Sequence, residues 1–400
     1  MRHLFCLFCL VLCSFAHGQT SFDFKQKPGA YGVGLRVIRQ YDESRVYKSR
    51  TGTGDKAVEL EGKRPVQTLV WYPTRQTGAP VTNADYLRIS RTEDNFDLAP
   101  DEIERRTNAW VTARSARMPS ESVQRELRYA MWAQLDAAPA PGKYPVVIYA
   151  PGFGSSAIEN ADLCEYLASQ GYVVIASASM GSRSRAMTQD IDGLEAQAAD
   201  IRFLIGFANS LLQADASRIG VIGFSWGGMS NVVTAARDDR IRALVSLEGA
   251  FRYASNFVDG SAGAAKNVSP ARVAVPLLYV AARPQSVEEL HTAPLDTHFS
   301  FMNGMAGSDV YVATMRPMQH LDFGSQLLRF TAPDKADEYT REEVVTAFGW
   351  TVRYVHQFLD AYLKGSADAR AFLQKPATEN GSPRHMMAIE RRGAKQGASN

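Results

Sequence analysis

Residues 218–228 read Arg-Ile-Gly-Val-Ile-Gly-Phe-Ser-Trp-Gly-Gly, and the chain continues Met-Ser-Asn-Val-Val-Thr-Ala-Ala-Arg. An apolar, β-branched run over 219–224 gives way within one residue to a helical pattern, and Gly223, Ser225 and Gly227 spell G-x-S-x-G at the junction. A chain that turns from strand to helix over a single residue strains that residue's backbone and crowds the positions two before and two after it. Glycine at both 223 and 227 answers that crowding. The Ser225 hydroxyl is then lifted clear of the sheet at a helix N-terminus, where amide N–H groups favour developing negative charge. An idle serine in a glycine-rich turn would need neither the strand nor the helix.

The same alternation recurs on both sides of the junction. Continuous apolar runs at 144–149, 172–177, 241–247, 276–280 and 310–314 belong inside a sheet covered on both faces. The runs at 32–41 and 66–72 alternate like partly exposed strands. Helical patterns fall between them at 157–170, 194–212 and 226–237, and at 340–364, which opens with a Thr340…Glu343 capping box and stops at Gly365. This order predicts an α/β fold: a mostly parallel central sheet of about eight strands, flanked by helices with right-handed crossovers. Residues 83–141, between the second and third strands, are polar and Arg-rich, with Val123, Leu127, Met131 and Leu135 on one helical face. They read as a helical insertion, either a lid or a cover for a sheet edge. Residues 374–400 read as a basic, disordered tail, and no linker divides 19–373 into two cores.

The whole-chain numbers fit one large domain. Of 400 residues 45% are hydrophobic and 22% charged, which excludes a disordered tail protein and a polytopic membrane protein. Lys+Arg 44 against Asp+Glu 42 gives +2, so charge offers no case for nucleic acid or anionic lipid as a partner. Residues 1–18 carry Arg2 and His3, an apolar stretch over 4–15, then Ala16-His17-Gly18. That is the pattern of a secretory signal peptide, too short for a permanent span, and it predicts a secreted or periplasmic protein. Its removal takes Cys6, Cys9 and Cys13 and leaves Cys164 with no internal partner. Bulky Leu12 argues against lipidation at Cys13.

A serine nucleophile needs a base, an acid that orients the base, and donors for the oxyanion. Of seven histidines, His320 follows the last strand by a short loop and satisfies the order serine, acid, histidine. His356 sits mid-helix, and His291 and His298 lie in a long loop without metal-ligand spacing. Glu248 breaks an apolar strand at its C-terminal end, where sites form in open α/β sheets, and is the preferred acid. Glu288, after the next strand, is the runner-up, and a salt bridge from Glu248 to Arg252 is the non-catalytic alternative. The backbone N–H of Trp226 supplies one oxyanion donor and that of Phe153, in Pro151-Gly152-Phe153-Gly154, the second. Arg183, Arg185 and Arg252 either line the mouth, favouring an anionic ester, or are solvated loop charges.

With these residues the chain resembles the α/β-hydrolase superfamily, and within it the platelet-activating factor acetylhydrolase and dienelactone hydrolase-like esterases. The resemblance rests on Val70-Trp71-Tyr72-Pro73, 149–154, the motif around Ser225, His320 followed by Phe323, and the ending 358–365. It implies an exported serine hydrolase acting on small-molecule or lipid-like carboxylic esters, with no metal or organic cofactor. It also places the acid at Glu248, 23 residues after Ser225, although Glu stands where Asp is usual. Two other readings share the architecture: an acyltransferase using the same triad, and a non-catalytic binding protein. A peptidase of the prolyl oligopeptidase type is disfavoured because the N-terminal extension is too short for a propeller.

Overall fold

The computed structural model describes residues 22–51, 58–76, 78–292, 295–332 and 338–394; the export signal read at 1–18 lies outside them. The chain opens with β1 (Gly32–Ile38), β2 (Tyr41–Thr51), β3 (Val58–Pro65) and β4 (Thr68–Thr74). Three helices follow: α1 (Asn83–Ile89), α2 (Pro100–Ser115) and α3 (Ser120–Leu127). The alternation then runs β5 (Ala133–Leu135), β6 (Tyr144–Ala150), α4 (Ala161–Ser169), β7 (Val173–Ala176), α5 (Ile191–Ala208), β8 (Ala214–Phe224), α6 (Trp226–Ala235) and β9 (Ile241–Leu247). It closes with β10 (Leu277–Ala281), α7 (Val287–Thr292), α8 (Ser300–Gly304), β11 (Val310–Met315), α9 (Ser325–Arg329), α10 (Arg341–Leu363), α11 (Ala367–Gln374) and β12 (Met387–Arg392).

Ten strands form one sheet in the order β12-β11-β10-β9-β8-β6-β7-β4-β1-β5, and β2 pairs with β3 as a separate hairpin. From β7 through β6, β8, β9 and β10 to β11 every pairing is parallel. Strand order reverses at β6, which has β7 on one side and β8 on the other. In open α/β sheets a crevice forms at such a switch point, beyond the C-terminal ends of the strands. The loop carrying Phe153 and the turn carrying Ser225 leave β6 and β8 at that point.

Strand alternation sends side chains to two cores. Val147, Tyr149, Ile222, Phe224, Val245 and Leu247 pack with apolar residues of α4 and α10 on one face. Val146, Ile148, Val221 and Leu244 pack with α5 and α6 on the other. Helix α10 keeps its predicted cap, with the Thr340 side chain accepting from the Glu343 amide and the Glu343 carboxylate accepting from the Thr340 amide. It buries Phe348, Val352, Val355, Phe358 and Leu359, each worth about 1.5–3 kcal/mol of transfer free energy.

Three expectations need correction. The sheet has ten strands because short β5 and the edge strand β12 join the eight expected from the sequence. The polar tail is structured through residue 394: β12 pairs antiparallel with β11 from Val310↔Arg392 to Met315↔Met387. Strand β12 is held by backbone bonds on a sheet edge, with Met387 its buried side chain and Ala377, Ser382 and Met386 buried before it, so composition gives little sign of it. In the insertion, α3 ends at Leu127; Val123, Leu127 and Met131 are buried, but Leu135 lies in β5 and is 54% exposed. The insertion is tied to the body by buried Arg329, which pairs with Glu126 of α3 (3.1 Å) and Asp162 of α4 (2.5 Å).

Candidate active site

Ser225 occupies the single residue between β8 and α6, with φ 53° and ψ −116°. A left-handed φ at a non-glycine costs on the order of 1–3 kcal/mol and persists because the surroundings fix it. Here the Ser225 amide donates to Leu247 O (2.9 Å) and its carbonyl accepts from Ala250 N (2.8 Å). The flanking glycines are sterically obligatory. A Cβ on Gly223 would stand 2.4 Å from the Gly227 backbone, and one on Gly227 would stand 2.1 Å from Ala150 O.

His320 opens a short 3₁₀ turn (His320–Phe323) after β11, and its Nε2 lies 2.9 Å from Ser225 Oγ. Its ring packs against Phe224 (centroids 5.3 Å) and edge-on to Tyr253 (5.5 Å). Burial pushes its pKa below the usual histidine value, which keeps the imidazole neutral and able to accept a proton. Nδ1 is buried and has no hydrogen-bond partner.

Glu248 stands at the end of β9 with φ 44° and 1% exposure. Its Oε1 accepts from the Tyr253 hydroxyl (2.6 Å) and its Oε2 from the Ala282 amide (2.5 Å). Burial raises its pKa, and the Tyr253 and Ala282 bonds and nearby Arg252 oppose the rise. No hydrogen bond joins Glu248 to His320; Tyr253 touches both, with its ring on the imidazole and its hydroxyl on the carboxylate. Glu288 is exposed in the first turn of α7 and forms no bond to Ser225 or His320.

On the opposite side of Ser225, Phe153 is 40% exposed and its ring meets the Trp226 indole edge-on at 5.7 Å. The Trp226 amide lies in the first turn of α6, where N–H groups have no intrahelical acceptor. The loop before Phe153 is held from behind by buried Glu159, whose Oε2 accepts from the Gly152 amide and the Tyr149 hydroxyl, both at 2.9 Å. The next residue, Asn160, holds the histidine turn: its Nδ2 donates to Phe323 O (2.7 Å) and its Oδ1 accepts from Ser325 N (3.0 Å). Sequence reasoning missed Glu159, Asn160 and Tyr253; two polar residues before an apolar helix were the one available signal for the first pair.

Of the arginines expected at the mouth, Arg252 and Arg185 are otherwise engaged. Arg252 is 7% exposed, lies 3.9 Å over the Phe299 ring and donates to Asp296 O (3.0 Å), so it does not line an opening. That stacking also replaces the salt bridge to Glu248. Arg183 is exposed, and its carbonyl accepts from Lys48 of the β2–β3 hairpin (2.6 Å). Arg185 donates to Ser179 O (2.9 Å) and pairs with Glu93 (3.4 Å). Among the described residues no group of three or more His, Cys, Asp or Glu side chains could hold a metal ion, and no helix is long and apolar enough to cross a membrane.

Residues 131–283 match the model of the dienelactone hydrolase family, a stretch that holds Phe153, Ser225, Trp226 and Glu248 but neither His320 nor the helices α1–α3. No curated protein matches the chain. A solved structure of a ferulic acid esterase from Streptomyces cinnamoneus superposes with a TM-score of 0.60 at 21% identity, covering 94% of this chain and 100% of the other. The chain thus has the α/β-hydrolase fold and is dienelactone hydrolase-like over its central part.

Proposed function

We propose that this dienelactone hydrolase-like chain is an exported serine esterase that cleaves carboxylic esters through an acyl-enzyme. Ser225 attacks the ester carbonyl while His320 Nε2 takes its proton and returns it to the leaving alcohol. The N–H groups of Phe153 and Trp226 receive the oxyanion. Water, deprotonated by His320, then releases the acid. Glu248 is the acid of the triad, acting when its carboxylate accepts from His320 Nδ1–H and stabilises the imidazolium. One observation carries the reading: the 2.9 Å contact between Ser225 Oγ and His320 Nε2 at a strained strand-to-helix turn.

The likeness to a ferulic acid esterase supports including aromatic-acid esters in the substrate panel, beside short p-nitrophenyl esters. Export rests on the 1–18 pattern, and N-terminal sequencing of protein recovered outside the cytoplasm tests it. Ser225→Ala is expected to abolish both ester hydrolysis and labelling by a fluorophosphonate. Undiminished labelling of the variant would overturn the nucleophile assignment.

A further inference from the structure

Helix α2 and the turn that follows α1 border a feature that the catalytic reading does not use. A cavity of about 410 Å³ is lined by four guanidinium groups, Arg91, Arg105, Arg106 and Arg185, against two carboxylates, Glu93 and Asp94. A second cavity of about 160 Å³ shares Arg91, Trp110 and Ser156 with the first; Leu87, Ile158, Leu327 and Phe330 form its apolar wall, and Arg114, Ser155, Glu159 and Gln326 also line it. The pair thus has a cationic end and an end with an apolar wall, with Trp110, stacked under Arg114 at 5.2 Å, between them.

The charges at the cationic end are unequally matched. Arg105 and Arg106 bind Glu102, each at 2.7 Å, and Arg106 also faces Asp94 at 3.7 Å. The Glu93 carboxylate accepts from the Ser156 hydroxyl and the Ala157 amide and pairs with Arg185 at 3.4 Å. Arg91 is different. Its guanidinium donates only to neutral oxygens, Ser90 Oγ and Leu87 O, and makes no salt bridge among the described residues. Burial is the main cause of its lowered pKa, and Arg185 and Arg106 add to it while Glu93 opposes it. A half-buried guanidinium beside two others is relieved by an anion that reaches it, and the planar fork of arginine matches a carboxylate.

We infer that this groove binds an organic carboxylate with an apolar or aromatic body, the carboxylate on Arg91 and the body along Trp110, Leu87 and Phe330. The site stands on residues outside the 131–283 family match for its key contacts, and it holds whether or not Ser225 is a nucleophile. The apolar continuation favours such an amphipathic anion over a bare inorganic one, because a small anion would leave the second cavity unused.

Calorimetric titration of the full chain tests this with 3-phenylpropionate, its neutral amide 3-phenylpropionamide, acetate and inorganic phosphate. The expected order is 3-phenylpropionate at least tenfold tighter than each of the other three. Arg91→Met is expected to weaken it tenfold or more while thermal unfolding stays cooperative. Equal binding of the amide would remove the carboxylate assignment, and equal binding of phosphate would remove the apolar body. Tight binding retained in Arg91→Met would place the ligand elsewhere. The comparison of the four probes needs no variant, so a misfolded Arg91→Met would leave the proposal testable.

Discussion

Replacing Tyr253 with phenylalanine removes one hydrogen bond from a buried carboxylate and keeps the ring that packs on His320. In the structure Glu248 divides its oxygens between the Tyr253 hydroxyl at 2.6 Å and the Ala282 amide at 2.5 Å, while His320 Nδ1 has no partner. A hydrogen bond to a charged group is worth about 1.5–3 kcal/mol. When the hydroxyl is lost, the His320 Nδ1–H is the donor left to replace it; the neutral imidazole donates this bond too, but the charge of the imidazolium makes it about twice as strong, so about half of that free energy favours the imidazolium. At 1.36 kcal/mol per pH unit this raises the His320 pKa by roughly 0.5–1. Burial depresses the wild-type imidazole, so the acid limb of kcat/KM lies below pH 6.5, and activity is lost as pH falls through it. In Tyr253→Phe the limb moves to higher pH: the variant is about three- to tenfold slower on the acid side of the limb and within about threefold of wild type above pH 8. Glu248→Gln in the same background should return the limb to its original position. Stopped-flow or steady-state hydrolysis of a p-nitrophenyl ester across pH 4.5–9 reads the shift. An acid limb that stays in place while the rate drops evenly at all pH values would mean that Glu248 does not reach His320.

Asn160→Ala unhooks the histidine turn by removing bonds to Phe323 O and Ser325 N in a fully buried place; denaturant titration should register a loss on the order of 3 kcal/mol, and kcat should fall tenfold or more with KM little changed. Gly227→Ala puts a methyl 2.1 Å from Ala150 O, so the Ser225 turn cannot close; a loss of about 3 kcal/mol or more in denaturation, with esterase activity gone, is expected. Buried Glu165 holds the Tyr86 hydroxyl and the Trp132 amide, and burial lifts its pKa from 4.5 to about 7. The folded state therefore binds more protons than the unfolded one between those values. Stability should fall as pH rises across that window, by on the order of 3 kcal/mol; Glu165→Gln should flatten that slope, and an unchanged slope would mean another group sets it.

The fold was legible wherever burial imposes a period. The parallel strands from β6 to β11 are buried on both faces, so they read as unbroken apolar runs, and α10 shows both its stripe and its cap. What escaped was held by charge and backbone rather than by apolar burial. The β2–β3 hairpin is anchored by Arg64, 0% exposed, which pairs with Asp200 at 2.6 Å and donates to Gly181 O. A lone arginine 136 residues from its partner leaves no pattern in a sequence. Strand β12, whose charges Glu390, Arg391 and Arg392 fall in one run, is likewise an edge strand stabilised by its ladder to β11.

The site divides along the same physical line. Ser225, with Gly223 and Gly227, and His320 were readable because the chemistry dictates the residue type and the turn dictates the spacing. Glu248 was readable as a carboxylate ending an apolar strand, but its partners, the Tyr253 hydroxyl and the Ala282 amide, were not. Supporting residues satisfy whatever donor the fold presents, so many residue types could serve and no spacing marks them. Glu159 and Asn160 are the clearest case. Adjacent in sequence, they reach in different directions, Glu159 to the Gly152 amide before Phe153 and Asn160 to the carbonyl of Phe323 after His320. The two loops that flank Ser225 are therefore referenced to one point at the entrance of α4. A shift of that helix end would move the Phe153 loop and the histidine turn together, changing both relative to Ser225 and Trp226; Ser225 is held separately from β9 through Leu247 O.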